Sequence, residues 1–387
     1  MSTVAVAAPN PARLVARSFP VDGRFDVLDC LAADSFVWLD GDRGFVTSGV
    51  VATVAPDEAA QYVRMIQHEA RPDVAASAGP RAVGALPFAG DGRLVVPADI
   101  VARDADGRAW HTTIGGARTA LERTAPPTAF SIAASTDFSR WQAQVGHVLR
   151  LIAGGALEKV VLARAITVEA DRPWSRWTVL DLLRRSQPGC IVYADGGFVG
   201  ASPELLVRKR ARDVMARPLA GTATDAAALR RSEKDGREHR FVVDAVAGAL
   251  APHCTELQIE GPDALAFADL SHLATTMTAR SHPATTVMDL VASLHPTPAV
   301  AGTPRALALD TIAALETQPR GCYAGPCGWT DRNGDGEFVV ALRGAVLDGQ
   351  NATLHAGAGI VEGSDADAEW RETQQKFMPM LQVLVRP

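Results

Sequence analysis

The pattern that most restricts this chain's fold is the recurrence of short apolar runs cut by glycine and aspartate turns. FVWLD from Phe36, the turn GDRG and then FVTSGVVATV up to Val54 alternate as an antiparallel hairpin does. From Arg81 to Ile114 the same pattern returns, punctuated by AGDGR and DADGR. Between the two, DEAAQYVRMIQHEA after Pro56 has the spacing of a helix. The opening MSTVAVAAPNPARLVAR breaks at Pro9 and Pro11, carries Arg13 and Arg17 on the wrong side for a secretory signal, and reads as a loose terminus.

A break falls at RTAPPTAF, after which Asp137 is placed to cap an amphipathic helix from Phe138 to about Ile152. Strands and helices then mix. KVVLARAITV from Lys159 reads as a strand, RWTVLDLLRRS as a helix, CIVYADGGFVGASPELLVRK as a hairpin and EHRFVVDAVAGAL as a helix. EFVVALRGAVL and ATLHAGAGIV read as strands, and a last helix starts at Asp367. Hairpin-paired strands with helices packed outside predict an α+β fold and argue against a doubly wound parallel sheet.

The chain has 387 residues, 47% hydrophobic and 21% charged, enough apolar content for a large core. Its length suggests two or three domains, although large β-rich units exceed the usual size. A net charge of -6 without a polybasic run argues against nucleic acid. No apolar stretch is long enough to span a bilayer, so the expectation is a cytoplasmic protein. The five cysteines, Cys30, Cys190, Cys254, Cys322 and Cys327, are thinly spread and read as reduced thiols.

Two motifs mislead. Asp331, Asn333, Asp335 and Gly336 begin like a calcium loop, but its twelfth position is Leu342 where a bidentate carboxylate is needed, so a polar hairpin turn is expected. Gly357, Gly359 and Gly363 imitate a dinucleotide fingerprint with the third glycine one place late and no helix opening inside it.

Candidate chemistry lies in the last helix, where Glu369, Glu372 and Lys376 stand at i, i+3 and i+7 and share a face. A solvated charged face is the plain alternative, and Pro379 sits inside this helix. Glu238 lies near the start of a second acidic helix, SEKDGREHRFVVDAV, as a dipole-compensating residue or as a partner of Glu372 in offering the hard oxygen ligands that Mg2+ prefers. Lys159 beside Val160, Val161 and Leu162 is either a buried base or a lysine reaching out to water. Glu204, after a proline in GASPELLV, is an acid or a turn carboxylate.

The ordered blocks LEKVVLAR, GGFVGASPELLVRK, RPLAGTA, SEKDGREH, LSHLATTMTAR, LHPTPAVAGTP, GCYAGPCGW, GEFVVALRGAVL, HAGAGIV and EWRETQQK resemble the motif set of the chorismate-utilising enzymes. That family includes anthranilate, aminodeoxychorismate, salicylate and isochorismate synthases. The resemblance implies a single large domain over residues 1-387 with mostly antiparallel sheets sandwiched by helices. Within it, 1-135 would be a divergent scaffold and 136-387 the chorismate-binding catalytic part.

Carried over residue by residue, the resemblance implies Lys159 as general base toward water and Glu204 as general acid toward the departing hydroxyl. It implies Glu238 and Glu372 as Mg2+ ligands, with Glu369 a second-layer or water-mediated one. Gly221, Thr222, His272, Ala299, Arg343, Gly357 and Lys376 would surround the substrate.

Lys159 stands where the ammonia-using members usually carry glutamine, and Ala220 where aminodeoxychorismate synthases have a nucleophilic lysine. Both point to water as nucleophile, to no amidotransferase partner and to the isochorismate-forming type. Ala299 fits that type, whereas Val300 replaces an expected leucine and Tyr323 a usual phenylalanine, which keeps salicylate formation as the alternative. A chorismate-binding protein without catalysis is the alternative of another class. The resemblance further implies a monomer and fits siderophore or menaquinone biosynthesis.

Overall fold

The computed structural model describes residues 8–22, 25–115, 121, 124–223, 225–267 and 270–385. Residues 1–7, the start of the segment read as a loose terminus, lie outside them. The rest of that segment is ordered into secondary structure: Val15–Val21 is a strand, parallel to Gln67–Ala70 and antiparallel to Ala109–Thr113. This corrects the terminus reading. Pro20 interrupts the apolar run in sequence, but the backbone ladder on both sides holds the strand in place.

Among the described residues, 21 strands join into one hydrogen-bonded network. Apart from the parallel pair just named, its pairings are antiparallel, and helices pack outside, as the α+β reading expects. The hairpin Phe36–Asp40 with Arg43–Val54 forms as expected. The helix after Pro56 stops at Met65, shorter than its sequence suggests. QHEA pairs with Val15–Ser18 instead, a case of tertiary pairing overriding a weak helix preference. Asp331–Gly336 is a polar turn between Pro326–Asp331 and Gly336–Val340, with the Asp331 carboxylate accepting the N–H groups of Asn333 and Asp335.

The helix Phe138–Ala153 begins at Asp137, whose carboxylate accepts the N–H of Arg140. It buries Trp141, Gln144, Val145 and Val148, one face at helical period, and Trp141 meets Trp370 of the last helix, Ala366–Val385, edge to face at 6.0 Å. The first third is not a separate layer. Phe36–Asp40 pairs along its whole length with Ile191–Asp195, and Arg81–Ala85 with Cys327–Asp331.

One expected strand is two. EFVVALRGAVL divides into Gly336–Val340 and Gly344–Asp348, and between them Arg343 takes a φ of 50°, which a side-chain-bearing residue rarely adopts. The first piece pairs with Leu205–Lys209 and the second with Phe198–Gly200. Glu204 sits at the matching crossing on the partner chain segment, between Phe198–Ser202 and Leu205–Arg210, so it is a strand-to-strand crossing residue and not part of a hairpin turn.

Candidate active site

Lys159–Ala170 pairs antiparallel with Asn351–Val361, with Lys159 opposite Val361 and Val161 opposite Gly359. Because side chains alternate along a strand, Lys159 and Val161 share a face with His355, Gly357 and Gly359. Two helices lay their acids over that face. Glu233–Leu250, capped by Ser232 on the N–H of Asp235, supplies Glu238 from its second turn, deeper than the dipole-compensating start that the sequence allowed. Ala366–Val385 supplies Glu369, Glu372 and Lys376. A Cβ on Gly359 would lie 2.3 Å from Glu238 Oε1, so only glycine lets that carboxylate come down onto the strand.

A cavity opens here. Its walls include Glu204, Gly221, Thr222, Glu238, His272 and Ala299, and further round Arg343, Gly357, Glu372 and Lys376. Ten of the twelve residues expected from sequence thus meet around one space. Lys159 and Glu369 stand behind that wall, fully buried at 0% and 1% exposure.

Each of the three acids holds a lysine. Lys159 Nζ lies 2.9 Å from Glu238 Oε1, Lys234 Nζ 2.5 Å from Glu369 Oε1 and Lys376 Nζ 2.7 Å from Glu372 Oε1. Lys376 also donates to the carbonyl of Gly357 at 2.9 Å. The last helix therefore carries the i,i+4 pair that a solvated face would have, but turned inward. Burial works against charge on Glu238, yet Lys159 foremost, with Lys376 and Lys234, holds its carboxyl below the usual range. Burial raises Glu372, and the nearby charges of Glu238 and Glu369 push the same way against Lys376.

Among the described residues Glu204 has no such partner. Burial pushes its carboxyl up to about 7, the Leu219 N–H and more distant Lys159 and Lys376 only moderating the rise. A carboxyl in that range carries its proton for much of the time at neutral pH, the state a general acid requires.

The opposite chemistry gathers at His272 and Arg343. Arg343 approaches His272 Nε2 at 2.5 Å, while His272 Nδ1 lies 3.1 Å from the carbonyl of Gly221 and 3.2 Å from Thr222 Oγ1. Burial and then Arg343 push the imidazole down to about 3, so it is neutral. Arg343 donates to Nε2, and Nδ1–H donates to Gly221, whose φ of 70° favours glycine. Arg343 Nη1 is buried without a hydrogen-bond partner among the described residues, while the Cys190 thiol lies beside the guanidinium.

Sequence reasoning missed three residues. Lys234 precedes Glu238 by four and so shares its helix face, a signal present in SEKDGREH. His355 lies two residues before Gly357 and hence on the same strand face. It stacks on Tyr323 at 5.3 Å, and with its ring bonded to the Pro319 carbonyl its buried Nε2 is left without a partner among the described residues. Arg320 braces the wall through Glu316 at 2.5 Å and the carbonyls of Val300 and Val161.

Among the described residues no three His, Cys, Asp or Glu side chains converge as they stand to hold a metal. The donors nonetheless suit Mg2+: they are hard carboxylate oxygens, close enough that Glu238 and Glu369 raise Glu372, and each is turned onto an ammonium that fills the demand for a cation.

Among the described residues a 21-stranded, almost wholly antiparallel network carries a cavity lined by the carboxylates Glu204, Glu238 and Glu372 and by the cations Arg343 and Lys376, the class of site that can hold a small anion. The chorismate binding enzyme family model matches residues 100–385, and the chain belongs to that family. Isochorismate synthase DhbC of Bacillus subtilis is 35% identical over 330 residues, 79% of this chain and 81% of its own. Isochorismate synthase EntC of Escherichia coli K12 is 32% identical over 384 residues, 91% of this chain and 95% of its own. The solved structure of MenF, the menaquinone-specific isochorismate synthase from Escherichia coli, matches with a TM-score of 0.82 at 28% identity, covering 96% of this chain and 94% of that one. Anthranilate synthase component I from Streptococcus pneumoniae, at 22% identity and a TM-score of 0.69 over 89% of each chain, shares the fold. Among the described residues no helix is long and apolar enough to cross a membrane.

Proposed function

We propose that this chain converts chorismate to isochorismate, water adding at C2 while the C4 hydroxyl leaves as water and the ring double bonds shift. The observation that carries the reading is Glu204, a buried carboxyl on the cavity wall that burial pushes up to about 7, suited to protonate a departing hydroxyl. Lys159 is the base that takes a proton from the incoming water, once its Nζ is free of Glu238. One water enters and one leaves, and the proton taken up at Lys159 matches the one given by Glu204, so substrate and product have the same composition and oxidation level.

Arg343 and Lys376 bind the substrate carboxylates, which is how a chain of net charge -6 admits a dianion. His272, held neutral, orients Arg343 and faces the ring with Gly221, Thr222, Ala299 and Gly357. Glu238 and Glu372, with Glu369 behind them, would hold Mg2+, which when bound neutralises the substrate's ring carboxylate and charge developing on it. Ala220 on the cavity wall supports water as nucleophile, since no amine stands at that position.

The test is incubation of purified protein with chorismate and Mg2+, with a chelator control, and chromatography of the products. Isochorismate without pyruvate is expected. Salicylate with pyruvate would replace this reading with the eliminating one, which the polar Tyr323–His355 stack in the cavity wall favours. Unchanged chorismate would leave a binding protein.

A further inference from the structure

Lys234 stands one turn before Glu238 on the same helix face. Its ammonium touches Glu369 and also feels the charges of Glu238 and Glu372, so it lies among all three carboxylates assigned above to Mg2+. The other two lysines have less freedom toward solvent. Lys159 is enclosed at 0% exposure, and Lys376, 25% exposed, is tied a second time to the Gly357 carbonyl. The Lys234 side chain keeps 34% of its surface in solvent, and among the described residues its ammonium donates to Glu369 alone.

We infer that Lys234 is a resident counter-ion of the metal site, holding Glu369 until a divalent cation arrives and then swinging out to solvent. Glu369 is 1% exposed, and a buried carboxylate stripped of its cation is strongly unfavourable, so something must neutralise it before metal binds. An ammonium at 2.5 Å occupies the oxygen that an octahedral Mg2+ or a water in its shell would need. A divalent cation entering beside three ammoniums is repelled by all of them, and Lys234 is the most exposed and the least tied of the three. Its departure relieves that repulsion without exposing the carboxylate. Lys234 is thus a positioning residue that lowers the site's apparent Mg2+ affinity and keeps it assembled when empty of metal.

This inference rests on the Mg2+ assignment, and two measurements separate the failure of one from the other. Mg2+ binding by calorimetry should be on the order of tenfold tighter in Lys234→Met than in the native chain, because the competitor is gone. In the native chain, acylation of Lys234 by an amine reagent, followed by mass spectrometry, should rise when Mg2+ saturates the site, while that of enclosed Lys159 stays low. The labelling needs no variant, so it stands if Lys234→Met does not fold. Mg2+ binding with unchanged or reduced Lys234 labelling, or with equal or weaker affinity in a folded Lys234→Met, overturns the inference and leaves the assignment intact. No Mg2+ binding by the native chain overturns both.

Discussion

Two buried glutamates reach the same cavity and end in opposite states. Glu204, on the crossing between two strands, has no cation within ion-pair distance among the described residues, and burial pushes it up to about 7. Glu238, from a helix, keeps 14% of its side chain in solvent, meets Lys159 at 2.9 Å and is held below the usual carboxylate range. Burial opposes charge on both, and pairing with a lysine decides which acid keeps its proton, and so which can donate one and which can bind a cation.

The sharpest way to break that contrast is to remove the lysine. Lys159→Ala should lower turnover by about 10³ or more, within the span of general-base effects, while Mg2+-dependent chorismate binding persists. Near-normal turnover would take Lys159 out of the role. It should also raise the Glu238 carboxyl, bringing the two acids closer in character.

Glu204→Gln comes next, with a loss of about 10²-fold in kcat and little change in KM. In the native chain the protonated acid is depleted as pH rises through about 7, so kcat should fall on the alkaline side, by about tenfold per unit in the limit. The variant should lack that limb, and an identical pH profile in both would remove Glu204 as the acid. Glu372→Gln should weaken Mg2+ activation by at least about tenfold, read from a Mg2+ titration of the rate. Arg343→Lys, which keeps charge but loses the forked geometry, should raise KM by about tenfold or less, checked by steady-state kinetics.

One face of the site was legible from the helical period, and the rest of its lining and the roles of its residues through the resemblance to the chorismate-utilising enzymes. Glu369, Glu372 and Lys376 share a face by spacing alone, and HAGAG puts alternate residues toward one side. What spacing cannot supply is depth. The same three charges would suit a solvated helix, and only the sheet beneath them makes them a buried cluster. The break at Arg343 was not legible. EFVVALRGAVL is apolar almost throughout, so its period does not announce the break, which arises because its two halves pair with different strands and Arg343 turns between them at a φ of 50°. Val15–Val21 and Gln67–Ala70 were unreadable for a related reason, since Gln67–Ala70 is a strand through its pairing with Val15–Ser18, and Val15–Val21 is itself held on its other side by Ala109–Thr113.

The ladder between Phe36–Asp40 and Ile191–Asp195 has a practical consequence. It is written in backbone groups, which demand alternation but no particular side chain, so the first third is free to drift in sequence while remaining mechanically indispensable. A chain trimmed to begin at residue 136 would keep every proposed catalytic group yet present two long raw edges, Ile191–Asp195 and Cys327–Asp331, to its neighbours. Such edges recruit other copies, and the trimmed protein would be lost to aggregation before its chemistry could be measured.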